Sequence, residues 1–216
     1  MAVDLRKPDV ELPFPYLELD LDGNFAEEAT EALRGKADTV LALDVIEHLH
    51  RPEESLREIR RAMKPGGTLL ASTGNVAYVL VRVMLALGFF NYGKKGILDL
   101  THTRLFTIRS FCRTLEGEGF EVLGVRGFGP PISDMVGSSA ILRLLDSVAS
   151  FLARISPSLF GYQFLVEARR MDDVESILDA TVSIPDVAGG PEPGSFSPDQ
   201  KPIEPSVSLD PGEAGP

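Results

Sequence analysis

The sequence predicts an α/β fold built on a mostly parallel sheet, and three observations support this. Short apolar stretches containing β-branched residues, of which Asp38–Asp44 is the clearest, are typical of strands buried in parallel sheets. They alternate with helical patterns such as Pro52–Met63, which starts with proline followed by two acidic residues. The sequence Lys64-Pro65-Gly66-Gly67 then separates that helix from the next strand. Alternating strands and helices predict right-handed βαβ units.

The same patterns predict the remaining elements. The predicted strands are Pro15–Asp20, Asp38–Asp44, Thr68–Thr73, Gly119–Val125 and Tyr162–Arg169. The predicted helices are Ala26–Leu33, Pro52–Met63, Asn75–Leu87, Thr107–Glu116 and Ser138–Ile155. Thr107 is expected to cap its helix. We expect the last two strands to close the sheet as an antiparallel pair.

Charge and composition divide the 216-residue chain into two parts. From Met171 onward there are ten acidic residues, one lysine, eight prolines and five glycines, so we expect residues 171–216 to form a disordered acidic tail. Residues 1–170 are expected to form the folded domain, which carries only −2 of the total charge of −11. The folded part shows no cluster of lysine and arginine, which argues against a nucleic-acid partner.

The cysteine content and the first residues bear on the compartment. The single cysteine, Cys112, cannot form an internal disulfide and is expected to be a structural thiol. The segment Met1–Pro13 lacks the apolar stretch of a secretory signal. We therefore expect a cytoplasmic protein.

Two apolar stretches, Val76–Phe90 and Ala140–Ile155, are too short and too interrupted by charges to span a membrane. Buried or half-buried helices are the expected structure. The alternative is a hydrophobic lid that touches a lipid-like substrate or makes peripheral contact with a bilayer.

The segment Ala37–Asn75 carries the most specific pattern. It combines the strand and turn Asp38–Leu49, the helix that starts at Pro52, and the Lys64-Pro65-Gly66-Gly67 turn. This order resembles class I S-adenosylmethionine-dependent methyltransferases, and the resemblance continues through Gly96–Thr107. It implies a Rossmann-like methyltransferase sheet and S-adenosylmethionine as cofactor. The sulfonium of that cofactor supplies an activated methyl group, so the protein mainly positions the acceptor.

The resemblance also implies cofactor-binding residues. Asp20 would accept a hydrogen bond from the adenine amino group, and the Leu21 amide would contact the ring. Asp4 would hold the ribose hydroxyls, and Leu43 and Asp44 would meet the cofactor where their strand ends. The alternatives are that Asp20 caps a turn and that Asp4 is an acid in a frayed terminus.

One expected motif is absent from the sequence. The family's first strand ends in an Asp/Glu-x-Gly-x-Gly-x-Gly loop, and no such loop occurs. We therefore expect a sheet that is incomplete in its N-terminal half. A late start site, a truncated gene and a complementing partner chain remain open explanations. The strands containing Asp38 and Thr68 would lose a neighbouring central strand and its covering helix. We therefore also expect an unpaired strand edge, exposed apolar faces and a marginally stable or oligomeric chain.

Asp44, Glu47 and His48 stand at i, i+3 and i+4, which would place them on one face of a helical turn that Asp44 opens. His102 lies in a second loop, expected at the same end of the sheet. The arrangement resembles ubiquinone-biosynthesis O-methyltransferases and RNA 3′-terminal ribose 2′-O-methyltransferases. In the RNA enzymes such residues bind a divalent metal.

Three roles stay open for these residues. Asp44, Glu47, His48 and His102 could bind Mg²⁺ or another divalent cation. His48 or His102, assisted by Glu47, could act as a general base without metal. They could also be purely structural. Arg104 is expected to pair with Asp99, with binding of an anionic substrate group as the alternative.

The predicted function is S-adenosylmethionine-dependent methyl transfer to an oxygen of a small-molecule, lipid-like or glycan substrate. The alternative is a non-catalytic remnant or a subunit that partners a complete enzyme, which the missing glycine-rich loop favours. A peripheral membrane-binding module is a third hypothesis.

Overall fold

The fold is described from a computed structural model of the chain. The structure describes residues 1–4, 13–132, 137 and 139–172. The predicted acidic tail, apart from Met171 and Asp172, lies outside the described residues.

The six strands form two sheets. The strands are β1 (Ala2–Asp4), β2 (Tyr16–Glu18), β3 (Ala37–Leu43), β4 (Met63–Gly74), β5 (Phe120–Phe128) and β6 (Gln163–Arg170). β1 and β2 pair in parallel as one small sheet, and the larger sheet has the order β3-β4-β6-β5. β3 and β4 are parallel, whereas β6 pairs antiparallel with both β4 and β5. The antiparallel pairing of the last two strands is thus confirmed.

The helices lie close to their predicted positions. They are α1 (Ala26–Leu33), α2 (Pro52–Ala62), α3 (Val79–Ala86), α4 (Ile108–Gly117), α5 (Ala140–Ile155) and α6 (Pro157–Phe160), with a 3₁₀ turn at Ile46–His48. Thr107 caps α4 as predicted: its hydroxyl accepts from the Ser110 amide at 3.1 Å, and the Ser110 hydroxyl accepts from the Thr107 amide at 2.9 Å. The 3₁₀ turn and α6 were not predicted.

Aromatic and aliphatic side chains of the helices and the larger sheet form the core. Phe111 on α4 is fully buried, and its ring lies 5.1 Å from that of Phe106 and 5.5 Å from that of Phe164 on β6. Leu56 on α2 and Leu69 on β4 are also fully buried. Burial of each such side chain contributes about 1.5–3 kcal/mol, so this cluster fixes α2 and α4 against the sheet that carries the site.

A buried carboxylate joins α1 to α2. Phe25 precedes α1 and supplies no side-chain cap. Instead, Glu58 of α2 accepts from the Ala26 amide at 3.0 Å through Oε2 and from Arg61 at 2.7 Å through Oε1. The Glu58 carboxylate therefore accepts a hydrogen bond from a free amide at the start of α1 and forms an ion pair within α2.

β3 lies at one edge of the larger sheet. Within the described residues it pairs with β4 alone, and Leu41 and Leu43 are 62% and 52% exposed. The predicted open edge at this strand is confirmed. The same prediction for the strand that contains Thr68 is wrong, because β4 is hydrogen-bonded to β3 on one side and to β6 on the other.

The expectation of buried or half-buried apolar helices is met in part: α5 is half-buried, whereas α3 is mostly exposed. On α3 only Val81 is buried, and residues 82–92 are all exposed. On α5 only Ala153 is buried. Among the described residues no helix is long and apolar enough to cross a membrane. Apolar periodicity predicted both helices correctly, but these apolar faces do not point into the core.

Candidate active site

The site begins where β3 ends, at Asp44. Asp44 has a left-handed backbone conformation, with φ of 54°, and the 3₁₀ turn starts two residues later at Ile46. Its amide donates to the Ser72 carbonyl at 3.1 Å, and its carboxylate accepts from the Ser72 hydroxyl at 2.9 Å and from Gln163. Asp44 therefore ties β3 to β4 and β6. The expected helical turn opened by Asp44 is not formed, because this residue turns the chain out of the strand.

Glu47, His48 and His102 come together as predicted. One ligand atom from each lies within 4.8 Å of the others, and Asp44 is not part of this group. The two imidazole rings meet edge to face, with centroids 4.8 Å apart and an interplanar angle of 71°. His48 is exposed, His102 is half-buried and Glu47 is only 2% exposed. The group is therefore open to solvent at His48 and closed to solvent at Glu47.

Backbone carbonyls fix the orientation of both histidines. His48 Nδ1 lies 3.1 Å from the Thr101 carbonyl, and His102 Nδ1 lies 3.0 Å from the Ile97 carbonyl. A carbonyl can only accept a hydrogen bond, so each Nδ1 carries the proton. In the neutral rings both Nε2 atoms therefore keep a lone pair, which can accept a proton or bind a metal.

Glu47 is the closed side of the group. Burial raises the pKa of its carboxyl above the ordinary value, and hydrogen bonds from its own amide and from Thr73 oppose that shift. Within the described part of the chain, Glu47 Oε2 has no hydrogen-bond partner. A buried carboxylate oxygen without a partner is costly to stability, which is typical of a group retained for its chemistry.

Thr103 holds the two loops of the site together. Its hydroxyl lies 3.0 Å from the Glu47 carbonyl and 2.6 Å from the Leu49 carbonyl. The amides of Thr103 and Arg104 donate to the same Glu47 carbonyl at 2.9 and 3.1 Å. The loop that bears His102 is therefore bound to the 3₁₀ turn that bears His48.

Arg104 and Asp99 do not pair, so that prediction is wrong. Arg104 Nη1 lies 2.5 Å from Oε1 of Glu53, at the start of α2. The guanidinium carbon of Arg104 lies over the Phe106 ring, 5.5 Å from the ring centroid. Asp99 instead accepts from the amide and hydroxyl of Thr101, both at 2.8 Å, and these bonds lower the pKa of its carboxyl. The local turn satisfies Asp99 without a distant cation.

The predicted adenosine-binding residues lie at or just after the ends of β1, β2 and β3. Asp4 ends β1, and its carbonyl accepts from the Leu19 amide at 3.0 Å. Asp20 follows β2 and accepts from the Asp22 amide at 2.9 Å, so it caps a turn, and its side chain is exposed. Leu21 packs against the core, whereas Leu43 is exposed at the end of β3.

Asp22 and His50 form a contact that sequence reasoning missed. The Asp22 carboxylate accepts from the His50 amide at 2.8 Å and the Arg51 amide at 3.2 Å, and lies 3.0 Å from His50 Nδ1. Burial raises the pKa of Asp22, but the hydrogen bonds from His50 and Arg51 outweigh it and lower the pKa overall. This contact places the loop after β2 against the segment that leads into α2. The signal was the second acid of the Asp20-Leu21-Asp22 turn.

Comparison with known proteins identifies the family of the chain. Residues 8–125, more than half of the chain, match a family described as "Methyltransferase domain". The chain belongs to the class I S-adenosylmethionine-dependent methyltransferases. Ubiquinone biosynthesis O-methyltransferases of Pseudomonas paraeruginosa and Pseudomonas aeruginosa are 30% identical over 112 residues, covering 52% of this chain and 44% of each relative. This methyltransferase chain therefore spans less than half the length of the curated relatives it matches.

Solved structures of S-adenosylmethionine-dependent methyltransferases are also similar. The protein of Archaeoglobus fulgidus has a TM-score of 0.45 at 19% identity, covering 73% of this chain and 68% of its own. The protein of Mesorhizobium loti has a TM-score of 0.42 at 19% identity, covering 76% of this chain and 72% of its own.

Proposed function

We propose that this methyltransferase chain transfers the methyl group of S-adenosylmethionine to a hydroxyl oxygen of a small or lipid-like molecule. The observation that carries the proposal is the Glu47, His48 and His102 group, which follows the carboxyl ends of the parallel strands where ligands of open α/β sheets bind. The similarity to ubiquinone biosynthesis O-methyltransferases supports oxygen as the acceptor atom.

The cofactor supplies an activated methyl carbon, so the chain must position and deprotonate the acceptor. We assign the adenosine side to Asp4, Asp20 and Leu21, with Leu43 and Asp44 beside them at the end of β3. The ribose and adenine would then lie along the carboxyl ends of β1 to β3.

His48 Nε2 is the proposed proton acceptor. His48 is exposed and holds its Nδ1 proton on the Thr101 carbonyl, so its free lone pair can face an acceptor hydroxyl. As the oxygen forms its bond to the methyl carbon and the carbon–sulfur bond breaks, the hydroxyl proton passes to Nε2. The edge-to-face contact with His102 fixes the ring, and the Glu47 carboxylate stabilises the imidazolium.

A divalent cation such as Mg²⁺ is the second arrangement that a specific observation favours. Among the described residues Glu47 Oε2 has no hydrogen-bond partner, and both Nε2 atoms keep a lone pair, so the three residues fit a site with two histidines and one carboxylate. A cation held there would supply Lewis-acid polarisation of the acceptor oxygen. Asp44 does not fit this set, since Ser72 and Gln163 engage its carboxylate.

Lipid-like acceptors are proposed over charged ones. The loop that follows α3 presents Phe89, Phe90 and Tyr92 to solvent, at 57%, 42% and 47% exposure. These aromatic side chains precede the His102 loop in the chain and could cover an apolar acceptor. Glycan acceptors remain the alternative within the same reaction class.

Calorimetry of the full chain with S-adenosylmethionine tests the proposal first. Binding is expected, followed by methyl transfer to a hydroxylated aromatic probe that His48→Ala slows by about 10²- to 10⁴-fold. Absence of cofactor binding would favour the alternative of a non-catalytic partner subunit. Addition of a chelator separates the two site arrangements: activity that survives chelation supports the metal-free base, and activity restored by Mg²⁺ or Mn²⁺ supports the cation.

A further inference from the structure

Helix α5 carries its apolar face outward. Its inner side, at intervals of three and four residues, consists of Leu142, Asp146, Ala149 and Ala153, and these residues are buried or half-buried. Large apolar side chains occupy the outer side with exposed fractions of 46–71%: Ile141, Leu144, Leu145, Val148, Phe151 and Ile155. A helix that contributes to a core shows the opposite arrangement. The outer face of α5 therefore does not contribute to the core of the described residues.

The acid of α5 is turned away from this surface. Asp146 lies on the inner side, where its carboxylate accepts from the Ile132 amide at 2.8 Å. Arg143 and Arg154 are exposed and, by helical geometry, flank the apolar stripe on one side. An apolar face with a cationic flank is typical of helices that lie in the plane of a membrane interface.

The segment 82–92, which begins within α3 and continues into the loop that follows it, is also apolar and exposed. Every residue of the segment is exposed, and most are apolar, including Leu87 at 68% and Phe89 at 57%. Between Asn75 and Leu98 the chain has Arg82, Lys94 and Lys95 and no acidic residue, although its net charge is −11. Local charge here is thus opposite to that of the whole chain.

A hydrogen bond connects the two regions. Arg82 on α3 donates to the Ser158 carbonyl at 3.2 Å, and Ser158 lies in the short helix α6 that directly follows α5. Asn75, just before α3, also bonds the carbonyls of α6 and Gly161. α3 and the C-terminal end of α5 are therefore neighbours on one side of the molecule.

We propose that α5 and the segment 82–92 dock this chain on a membrane surface that carries anionic phospholipids. α5 has 16 residues and is about 24 Å long, so it would lie along the interface with its stripe among the acyl chains. The exposed arginines and lysines would contact lipid phosphates. A second copy of the chain fits less well, because helix pairing would bring the arginine flanks together without acids on the outer face.

Co-sedimentation of the full chain with lipid vesicles tests the proposal. The vesicles contain phosphatidylcholine alone or phosphatidylcholine with phosphatidylglycerol. We expect binding to the anionic vesicles that weakens in high salt. The double variant Leu144→Ser, Phe151→Ser should bind about tenfold more weakly or worse, since two apolar anchors are lost.

Leu41→Ser is the matched control. Leu41 is 62% exposed, which matches the 64% of Leu144 and the 62% of Phe151. Helix α5 packs on β5, whereas Leu41 lies on β3 at the opposite edge of the larger sheet. This variant should sediment like the wild type. Thermal melting followed by circular dichroism should be unchanged in the double variant, because the altered side chains are exposed.

Three outcomes would overturn the proposal. The wild type could remain in the supernatant with both vesicle types. The double variant could sediment as well as the wild type. Light scattering could instead show a dimer that the double variant dissociates, with no vesicle binding, which would assign the outer face of α5 to a second copy.

Discussion

The imidazole rings of His48 and His102 meet edge to face, with their centroids 4.8 Å apart. One residue ends the 3₁₀ turn after β3, and the other lies in the loop before α4. Each ring is held by a backbone carbonyl, so their relative position depends on main-chain contacts between the two loops. A change in either loop should therefore alter the chemistry of both rings.

His48→Ala and His102→Ala should both lower kcat for methyl transfer. Loss of a general base typically costs about 10²- to 10⁴-fold, and His48→Ala should lie in that range. His102→Ala should cost less in a metal-free site, since His102 positions the first ring. Single-turnover kinetics measures the rates, and calorimetry checks that cofactor affinity is retained. The control is His50→Ala, whose imidazole lies on Asp22 instead; an equal loss in that variant would contradict the assignment.

Glu47→Gln should stabilise the fold while it lowers activity. Because burial raises the folded-state pKa of Glu47, the folded protein retains a proton that the unfolded chain releases. The free energy of unfolding should therefore fall as pH rises from the unfolded pKa to the folded pKa. Urea unfolding at several pH values measures this slope. The slope should diminish in Glu47→Gln, and stability at neutral pH should increase by about 1 kcal/mol. A less stable variant would show that Glu47 is structural.

Thr103→Val should loosen the junction between the two loops. The substitution keeps the shape of the side chain but removes the hydroxyl, whose single proton serves the Glu47 and Leu49 carbonyls. We expect a loss of about 1 kcal/mol in unfolding free energy and a larger proportional loss in kcat. Thr103→Ser retains the hydroxyl and should restore both. If the serine variant behaves like the valine variant, packing rather than hydrogen bonding holds the junction.

Asp22→Ala should weaken cofactor binding and stability together. The amides of His50 and Arg51 would lose their acceptor, at a cost of about 1 kcal/mol. Because the pKa of Asp22 is lowered in the folded state, its contribution is present above the unfolded pKa and is lost as pH falls through the folded pKa. Asp38→Ala is the control, since its pairing with Lys64 is exposed and should contribute little. Calorimetry and pH-dependent unfolding measure both effects.

Local patterns predicted the elements of this fold well. Thr107 was expected to cap α4 and does so, and the strand at Asp38 lies within one residue of its predicted limits. These features depend on neighbouring residues, which a sequence displays directly. The pairing of Glu47, His48 and His102 was also predicted, because loops at the same ends of parallel strands meet.

The features that were missed depend on tertiary contacts. The left-handed conformation of Asp44 removed it from the expected helical face. Arg104 pairs with Glu53 rather than with Asp99 because α2 begins beside the loop that contains Arg104. No local sequence pattern shows this proximity. Periodicity showed that α5 has an apolar face but not the direction in which that face points.

Glu58 joins the first two helices through a single buried carboxylate. A local opening that frees the start of α1 must also take one hydrogen-bond partner from the buried Glu58 carboxylate on α2, so the two helices should open as one cooperative unit. Amide hydrogens at the beginning of α1 and in the middle of α2 should then exchange with solvent at closely matched rates, although the two segments are separated by β3.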